Sequence, residues 1–247
     1  MSRYLPQRRP EAEMVLLCFH HAGGGTALFR GWQESLGPDI AVWPVLLPGR
    51  ERRIREPRLT DPTQLVEELA AELGPLLDRP HAFFGHSMGA LIAHRLIASR
   101  QHEGGRLPSA LFASACAPPL SPVHSSASLV GDDELIARLR RLGGMPEELL
   151  EHPEWLRLAL PVIRDDLELC RPRPGETAQV LSCPIHRCGG TEDRLVGEAE
   201  LRGWQALTEA GGTLAMFSGD HFYVKQRPDS LFRHLRDVLS ETVLCKK

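Results

Sequence analysis

Short apolar runs alternate along this chain with longer segments whose apolar residues recur at helical spacing. Six runs are candidate strands, and they cover residues 14–19, 40–46, 81–85, 109–115, 183–189 and 213–217. Five segments are candidate helices, and they cover residues 28–36, 63–78, 88–101, 197–210 and 228–243. This alternation predicts an α/β fold, with a mostly parallel central sheet and helices on both of its faces.

The alternation stops between Pro118 and Ala178, where no segment is a convincing strand. This stretch has helical patterns instead, at 132–142, 146–150 and 153–170. A segment inserted at the carboxyl end of a parallel strand emerges on the face where active sites of such sheets lie. We therefore predict a single domain over residues 1–247 with a helical lid insertion at about 118–178. Ordinary helix packing is the alternative use of the leucines in this stretch.

The clearest chemical motif is Gly85-His86-Ser87-Met88-Gly89, which lies between a candidate strand and a candidate helix. The spacing G-x-S-x-G in this setting is that of a nucleophile elbow, a sharp turn that exposes a serine oxygen above the sheet. Glycine is needed on both sides because larger side chains would collide in so tight a turn. Ser87 is therefore the predicted nucleophile, and a strand-to-helix turn with an idle serine is the alternative.

A serine nucleophile needs a histidine base, which follows it along the chain in this architecture. His221 is the candidate, because it lies in a glycine-containing loop directly after the last candidate strand. Loops at strand ends carry much of the chemistry of such folds. The other histidines well beyond the elbow fit less well. His152 lies in a charged helical region, His186 lies inside a strand, and His234 lies within a helix.

The acid that orients the histidine should follow a strand between these two residues. Asp193 is the candidate, because Thr191-Glu192-Asp193 comes directly after the strand at 183–189, and Glu192 is its competitor. Asp220 is adjacent to His221, but neighbouring residues of an extended loop point apart, which favours a turn-forming role. The remaining candidates lie in helical stretches, where solvated faces are expected: Asp132, Asp133, Asp165 and Asp166.

Two backbone N–H groups are expected to bind the oxyanion that forms on an acyl substrate. One is that of Met88, directly after the nucleophile, and the other is that of Ala22, in the glycine-rich loop after the first strand. That loop, residues 20–25, lacks the G-x-G-x-x-G spacing of a dinucleotide site, because Leu28 stands at the last position. Its two histidines have no carboxylate or cysteine at ligand spacing, so we expect no metal and no cofactor, and a role in orienting the loop.

Composition adds few constraints. The 247 residues carry a net charge of −3, which gives no electrostatic footprint for nucleic acid. The cluster Arg50, Arg52, Arg53 and Arg55 predicts either a solvated loop or a patch for an acidic partner protein. Six cysteines form no disulfide or zinc pattern, which is typical of buried thiols in a reducing compartment. We find neither a secretory signal nor a membrane-spanning run, so a cytoplasmic protein is expected.

Four motifs together resemble those of type II thioesterases, the discrete editing enzymes of polyketide and nonribosomal peptide synthesis. In chain order they are Phe19-His20-His21-Ala22-Gly23-Gly24, Leu46-Leu47-Pro48-Gly49-Arg50-Glu51, Phe84-Gly85-His86-Ser87-Met88-Gly89-Ala90 and Gly219-Asp220-His221-Phe222. Residues 140–146 also resemble a signature in the lid region of that family. The family usually has proline where this chain has His20, and its acid loop commonly reads Gly-Gly-Asp-x-Asp. Thr191 replaces the first of those aspartates, which leaves Asp193 as the matching acid.

The resemblance implies an α/β-hydrolase that cleaves acyl thioesters. Its substrate would be an aberrant acyl or aminoacyl group on the phosphopantetheine arm of an acyl carrier protein or a peptidyl carrier protein. The residues alone reach only as far as acyl transfer to water, so a thioesterase for acyl-CoA or a general carboxylester hydrolase remains an alternative. A non-catalytic binding protein on a hydrolase scaffold is the alternative of another class.

Overall fold

A six-stranded sheet in the order β2-β1-β3-β4-β5-β6 runs through the molecule, and every neighbouring pair is parallel. The computed structural model describes residues 2–6, 12–124, 130–141, 152–226 and 228–244. The strands are β1 Met14–Phe19, β2 Ile40–Pro44, β3 His81–His86, β4 Leu111–Ser114, β5 Ile185–Gly190 and β6 Leu214–Phe217. The predicted parallel α/β sheet is thereby confirmed.

Seven α-helices lie in the described part of the chain. They are α1 Trp32–Leu36, α2 Pro62–Leu73, α3 Met88–His102, α4 Asp132–Arg141, α5 Pro153–Glu168, α6 Glu198–Arg202 and α7 Asp229–Leu244. Asp61 caps α2, because its carboxylate accepts hydrogen bonds from the N–H groups of Thr63 and Gln64. Pro62 occupies the first turn, where a missing N–H costs nothing.

Three helices are shorter than their apolar patterns predict. The pattern at 28–36 is divided by Gly31, whose φ of 80° ends a 3₁₀ turn at 26–29 before α1 begins. The pattern at 63–78 changes to a 3₁₀ turn at Gly74, since the following proline has no N–H with which to continue the helical hydrogen bonds. The pattern at 197–210 likewise becomes a 3₁₀ turn after Arg202.

Alternate residues of the strands face opposite layers of helices, as the period of two in a strand requires. Val15 and Leu17 face a core completed by α2 and α3, which contribute Leu65, Leu69, Leu91 and Leu96. Met14 and Leu16 face a second core completed by α1 and α7, which contribute Trp32, Leu36, Leu231 and Leu235. The prediction of helices on both faces is therefore confirmed.

The segment between β4 and β5 forms a small apolar cluster of its own, separate from both sheet cores. Its buried members are Leu135, Leu156, Leu160 and Ile163, all from α4 and α5. Two apolar side chains of α5 remain on its outer side, where Leu158 is 75% exposed and Trp155 is 49% exposed. The pattern predicted at 146–150 lies outside the described residues, and the described part of this segment contains no strand.

The described cysteines are all buried and free: Cys18, Cys116, Cys170, Cys183 and Cys188. Burial raises the pKa of the thiols of Cys170, Cys183 and Cys188 to about 12, which keeps them protonated and unreactive. Among the described helices, none combines the length and apolarity that crossing a bilayer requires.

Candidate active site

Ser87 lies at the sharp turn between β3 and α3, with φ of 54°. Positive φ is uncommon for a non-glycine residue and is one form of the backbone strain that collects at functional sites. A Cβ on Gly85 would collide with the backbone of Ala90, and a Cβ on Gly89 would collide with the carbonyl of Phe19 at the end of β1. The two glycines of the motif are thus required by close backbone approach, as the elbow motif predicts.

His221 and Asp193 form a buried pair beside this turn. The Nδ1 atom of His221 lies 2.8 Å from Oδ2 of Asp193, and the two side chains are 3% and 0% exposed. The other carboxylate oxygen of Asp193 accepts hydrogen bonds from the N–H groups of Leu195 and Val196, which fix its orientation. The His221 ring is 5.6 Å from the ring of His86, the residue before Ser87. With its Nδ1–H donating to Asp193, His221 has Nε2 free to act as a base.

The competing acids lie elsewhere. Glu192 is exposed, and the structure gives its carboxylate no partner among the described residues. The Asp220 carboxylate accepts the N–H of Phe222 at 2.7 Å, which is the local turn-forming bond expected for it. Asp193 is therefore the carboxylate that contacts His221.

The other candidate histidines lie away from the serine turn. His152 precedes α5, and its ring stacks on that of Trp155 with centroids 4.2 Å apart. His186 on β5 and His234 on α7 have ring centroids 6.2 Å apart, and both contact Phe112.

A hydrogen-bonded chain beneath the serine turn gave no sequence signal. The imidazole Nδ1 of His86 lies 2.9 Å from Oγ of Ser114, which lies 2.7 Å from the hydroxyl of Tyr223. The N–H of Ser87 donates to the carbonyl of Ser114 at 2.8 Å. All three supporting side chains are fully buried, so this chain ties β3, β4 and the loop after β6 together at the turn. These residues are far apart in sequence, and no motif spacing relates them.

The glycine-rich loop after β1 approaches the start of α3. Since a Cβ on Gly89 would also crowd the carbonyl of His20, the first turn of α3 lies directly against this loop. Within the described part of the chain, neither the N–H of Ala22 nor that of Met88 donates to a protein acceptor. The N–H groups of a first helical turn have no intrahelical partner. Both predicted oxyanion donors are therefore unpaired within the part of the chain that the structure describes.

His20 and His21 hold the carbonyls of this loop. The Nδ1 of His20 lies 2.8 Å from the carbonyl of His21, and the Nδ1 of His21 lies 2.9 Å from the carbonyl of Ala22. Burial lowers the pKa of each ring to about 3, with the charge of Arg50 contributing at His20. Both rings are neutral near pH 7, and each donates its Nδ1–H to a carbonyl. These bonds are the kind that a loop-orienting role requires.

Two sequence predictions about charged residues are wrong. Arg50 was expected on a solvated loop or a partner-binding patch, but only 7% of it is exposed. Asp166 was expected on a solvated helix face, but only 1% of it is exposed, and its two oxygens accept from the Arg50 guanidinium at 2.7 Å. Arg53 is likewise buried, and it binds the Glu56 carboxylate and the carbonyl of Leu46. Helical periodicity could not reveal these contacts, because Arg50 and Asp166 are 116 positions apart.

Ser87 and Met88 line a cavity of about 550 Å³ that is mostly apolar. Its other walls come from the segment between β4 and β5 and from the loop after β5. Leu135 and Leu139 of α4 and Leu167 of α5 line the same cavity as Ser87. Three arginines also lie along it: Arg138, Arg141 and Arg194.

A parallel sheet with a serine at a strand-to-helix elbow places this chain among the α/β hydrolases. The sequence model of the thioesterase domain matches residues 15–239, and the chain belongs to the thioesterase family. The family resemblance noted in the sequence is thereby confirmed.

Several known proteins are similar to this chain over nearly its whole length. Linear gramicidin dehydrogenase LgrE of Brevibacillus parabrevis is 37% identical over 244 residues, which cover 96% of this chain and 93% of LgrE. Gramicidin S biosynthesis protein GrsT of Aneurinibacillus migulanus is 36% identical over 237 residues, which cover 94% and 93% of the two chains. The structure of the type II thioesterase BorB from the borrelidin biosynthetic cluster superposes with a TM-score of 0.83 at 33% identity, over 97% of this chain and 99% of BorB.

Proposed function

We propose that this thioesterase is an editing enzyme of polyketide or nonribosomal peptide biosynthesis. It removes aberrant acyl or aminoacyl groups from the phosphopantetheine arm of an acyl or peptidyl carrier protein. The observation that carries this proposal is the end-to-end match with BorB, a type II thioesterase, at 33% identity. The mostly apolar cavity at Ser87 supports the proposal, because an acyl group can lie there with its carbonyl at the serine.

In the mechanism that we propose, Ser87 Oγ attacks the thioester carbonyl while His221 Nε2 accepts the hydroxyl proton. Asp193 holds the imidazole in the required tautomer and stabilises the imidazolium that forms. The N–H groups of Met88 and Ala22 bind the oxyanion. Collapse of the tetrahedral intermediate breaks the C–S bond, and the leaving thiolate takes the proton from His221. A water molecule then attacks the acyl-serine with His221 again acting as the base, which releases the acid and restores the Ser87 hydroxyl.

We propose one catalytic domain over residues 1–247, with the segment at about 118–178 acting as its lid. The leucines of α4 and α5 that line the cavity support this role. A lid of this kind shapes the acyl chamber and limits the access of water. The free, buried thiols support a reducing compartment, and we propose the cytoplasm as the location.

Four other functions are less well supported. A dehydrogenase, as in the name of LgrE, needs a dinucleotide site, and the glycine loop of this chain lacks the spacing for one. An acyl-CoA thioesterase or a carboxylester hydrolase would use the same serine with a different leaving group. A non-catalytic binding protein would have no need for the buried His221–Asp193 pair.

Comparison of leaving groups tests the proposed function. We expect a higher kcat/KM for acetyl-carrier protein than for acetyl-CoA or a simple acetyl ester, because the carrier adds binding energy that the other substrates lack. Steady-state rates for the three acetyl donors measure this difference, with the deacylated carrier as an inhibitor control. Equal or higher kcat/KM for acetyl-CoA would contradict the carrier assignment. Failure of a fluorophosphonate probe to label Ser87 would contradict catalysis itself.

The lid proposal predicts that its inner face sets the acyl length. Leu139→Trp enlarges a side chain that lines the cavity, so we expect octanoyl thioesters to lose far more kcat/KM than acetyl thioesters. Leu158→Trp is the matched control, because Leu158 is 75% exposed on α5 and should leave the length profile unchanged. Rates over a series from acetyl to decanoyl measure the profile. An equal loss at every length in Leu139→Trp would contradict an acyl chamber under α4.

A further inference from the structure

The glycine-rich loop after β1, residues 20–25, is joined to α5 by a buried ion pair. One oxygen of Asp166 accepts both the N–H of Gly23 and a guanidinium N–H of Arg50, each at 2.7 Å. The other oxygen accepts a second guanidinium N–H at 2.7 Å. Arg50 in turn donates to the carbonyl of Gly24 at 3.1 Å. The pair thus binds an N–H and a carbonyl of two adjacent glycines, immediately after Ala22.

Together with the two histidine rings, these bonds hold the two peptide units on either side of Ala22. The peptide unit between Ala22 and Gly23 has its carbonyl bound to the His21 ring and its N–H bound to Asp166. The preceding unit, which carries the Ala22 N–H, has its carbonyl bound to the His20 ring and to the N–H of Gly24. The Ala22 N–H is the one group of these two units that no described protein atom accepts.

The chain directly after the loop is held by the residue next to Arg50. The Glu51 carboxylate accepts the N–H and the hydroxyl of Thr26, both at 2.6 Å. Glu51 itself has φ of 47°, an uncommon conformation for a non-glycine residue. The dipeptide Arg50-Glu51 therefore binds Gly24 within the loop and Thr26 directly after it, which gives a physical role to a motif whose function the sequence left unassigned.

Packing as well as charge joins the loop to α5. A Cβ on Gly23 would collide with the side chain of Ile163, and Gly23 has φ of 75°. Ile163 and Asp166 lie three positions apart and therefore share one face of α5. That face touches the loop, while Leu167, one position further along, lines the acyl cavity.

We infer that Arg50 and Asp166 are positioning residues that hold the Ala22 N–H in the oxyanion hole and couple it to the docking of α5. This inference rests on the proposed function, in which Ala22 is an oxyanion donor. The pair touches no substrate and acts through the loop backbone. Removal of an oxyanion donor costs about 10²–10³ in kcat, and a displacement of about 1 Å can cost about 10²-fold.

Asp166→Asn tests the inference, because asparagine keeps the shape but loses the charge and one acceptor. We expect kcat for a small activated thioester, acetyl-N-acetylcysteamine, to fall by about 10²-fold with KM nearly unchanged. Affinity for a boronic acid, which mimics the tetrahedral intermediate, should fall in parallel. Asp165→Asn is the matched control, since Asp165 is the preceding residue of α5 and binds the partly exposed Arg58 rather than the loop. That variant should retain wild-type kcat and boronate affinity.

Amide hydrogen exchange gives a readout that does not require activity. In Asp166→Asn we expect faster exchange in the peptide that covers residues 20–26 and unchanged exchange in α3. Arg50→Lys supplies a second variant, because lysine keeps the charge but cannot make the two-pronged contact. It should show the same changes to a smaller extent, so the inference remains testable if Asp166→Asn fails to fold.

The outcomes separate this inference from the proposed function. Unchanged kcat and unchanged loop exchange in Asp166→Asn would overturn it. A rise in KM with kcat retained would also overturn it, because the pair would then only hold the lid in place. If the wild type hydrolyses the small thioester but shows no preference for acyl-carrier protein, the carrier assignment fails while the variants still test the pair. The wild type could also hydrolyse neither the small thioester nor acyl-carrier protein. In that case, faster loop exchange in Asp166→Asn supports the coupling of the loop to α5, and unchanged loop exchange overturns it.

Discussion

Ser87→Ala should lower thioester hydrolysis by at least about 10⁴-fold while leaving the fold intact. In the proposed mechanism the Ser87 oxygen forms the acyl-enzyme, and alanine offers no nucleophile in its place. The backbone should tolerate the change, because the turn is fixed by Gly85, Gly89 and the bond from the Ser87 N–H to Ser114, none of which needs the hydroxyl. Steady-state hydrolysis of acetyl-carrier protein and labelling by a fluorophosphonate measure the loss.

Ser99→Ala is the matched control for that experiment. Ser99 lies on α3, the same helix that Ser87 precedes, and its hydroxyl binds only the Glu103 carboxylate at the surface. It should retain wild-type hydrolysis and labelling, and both variants should match the wild type in thermal unfolding. Wild-type turnover in a folded Ser87→Ala protein would refute the nucleophile assignment.

Asp193→Asn should lower kcat by about 10⁴-fold, the loss observed when the acid of a serine protease triad is replaced in this way. Asparagine can present an N–H to His221 Nδ1, which favours the tautomer that has its proton on Nε2. His221 then cannot accept the serine proton. The 2.8 Å contact and the 0% exposure of the Asp193 side chain leave solvent no open access to the carboxylate. Single-turnover acylation and steady-state kcat measure the effect.

The two neighbouring acids serve as controls for Asp193→Asn. Glu192→Gln changes an exposed carboxylate one position away, and Asp220→Asn changes the carboxylate next to the histidine that caps its own turn. Both should lower kcat far less than Asp193→Asn. A large loss of kcat in Glu192→Gln together with a small loss in Asp193→Asn would show that the acid is Glu192 and not Asp193.

The sequence by itself determined the features that depend on neighbouring residues. Strands are set by short apolar runs and the serine turn by two glycines at fixed spacing, so the parallel sheet and the Ser87 elbow could both be predicted. The chain order of nucleophile, acid and base then limited the partners to a few loops at strand ends. Among those loops the sequence predicted His221 and Asp193. The structure places Nδ1 of His221 2.8 Å from Oδ2 of Asp193.

Tertiary structure alone decided which charged residues are buried and what they hold. Asp166 and Arg50 each lie in a stretch whose polar pattern is typical of solvated surface, and both predictions for them were wrong. Burial of a carboxylate is tolerated only when a cation and hydrogen-bond donors satisfy it, and here they come from a loop 116 positions earlier and from the Gly23 backbone. Likewise, the contact of α4 and α5 with the cavity at Ser87 depends on how helices pack over the sheet. Local pattern fixes what a residue can do with its neighbours, whereas long-range packing decides which distant group it meets.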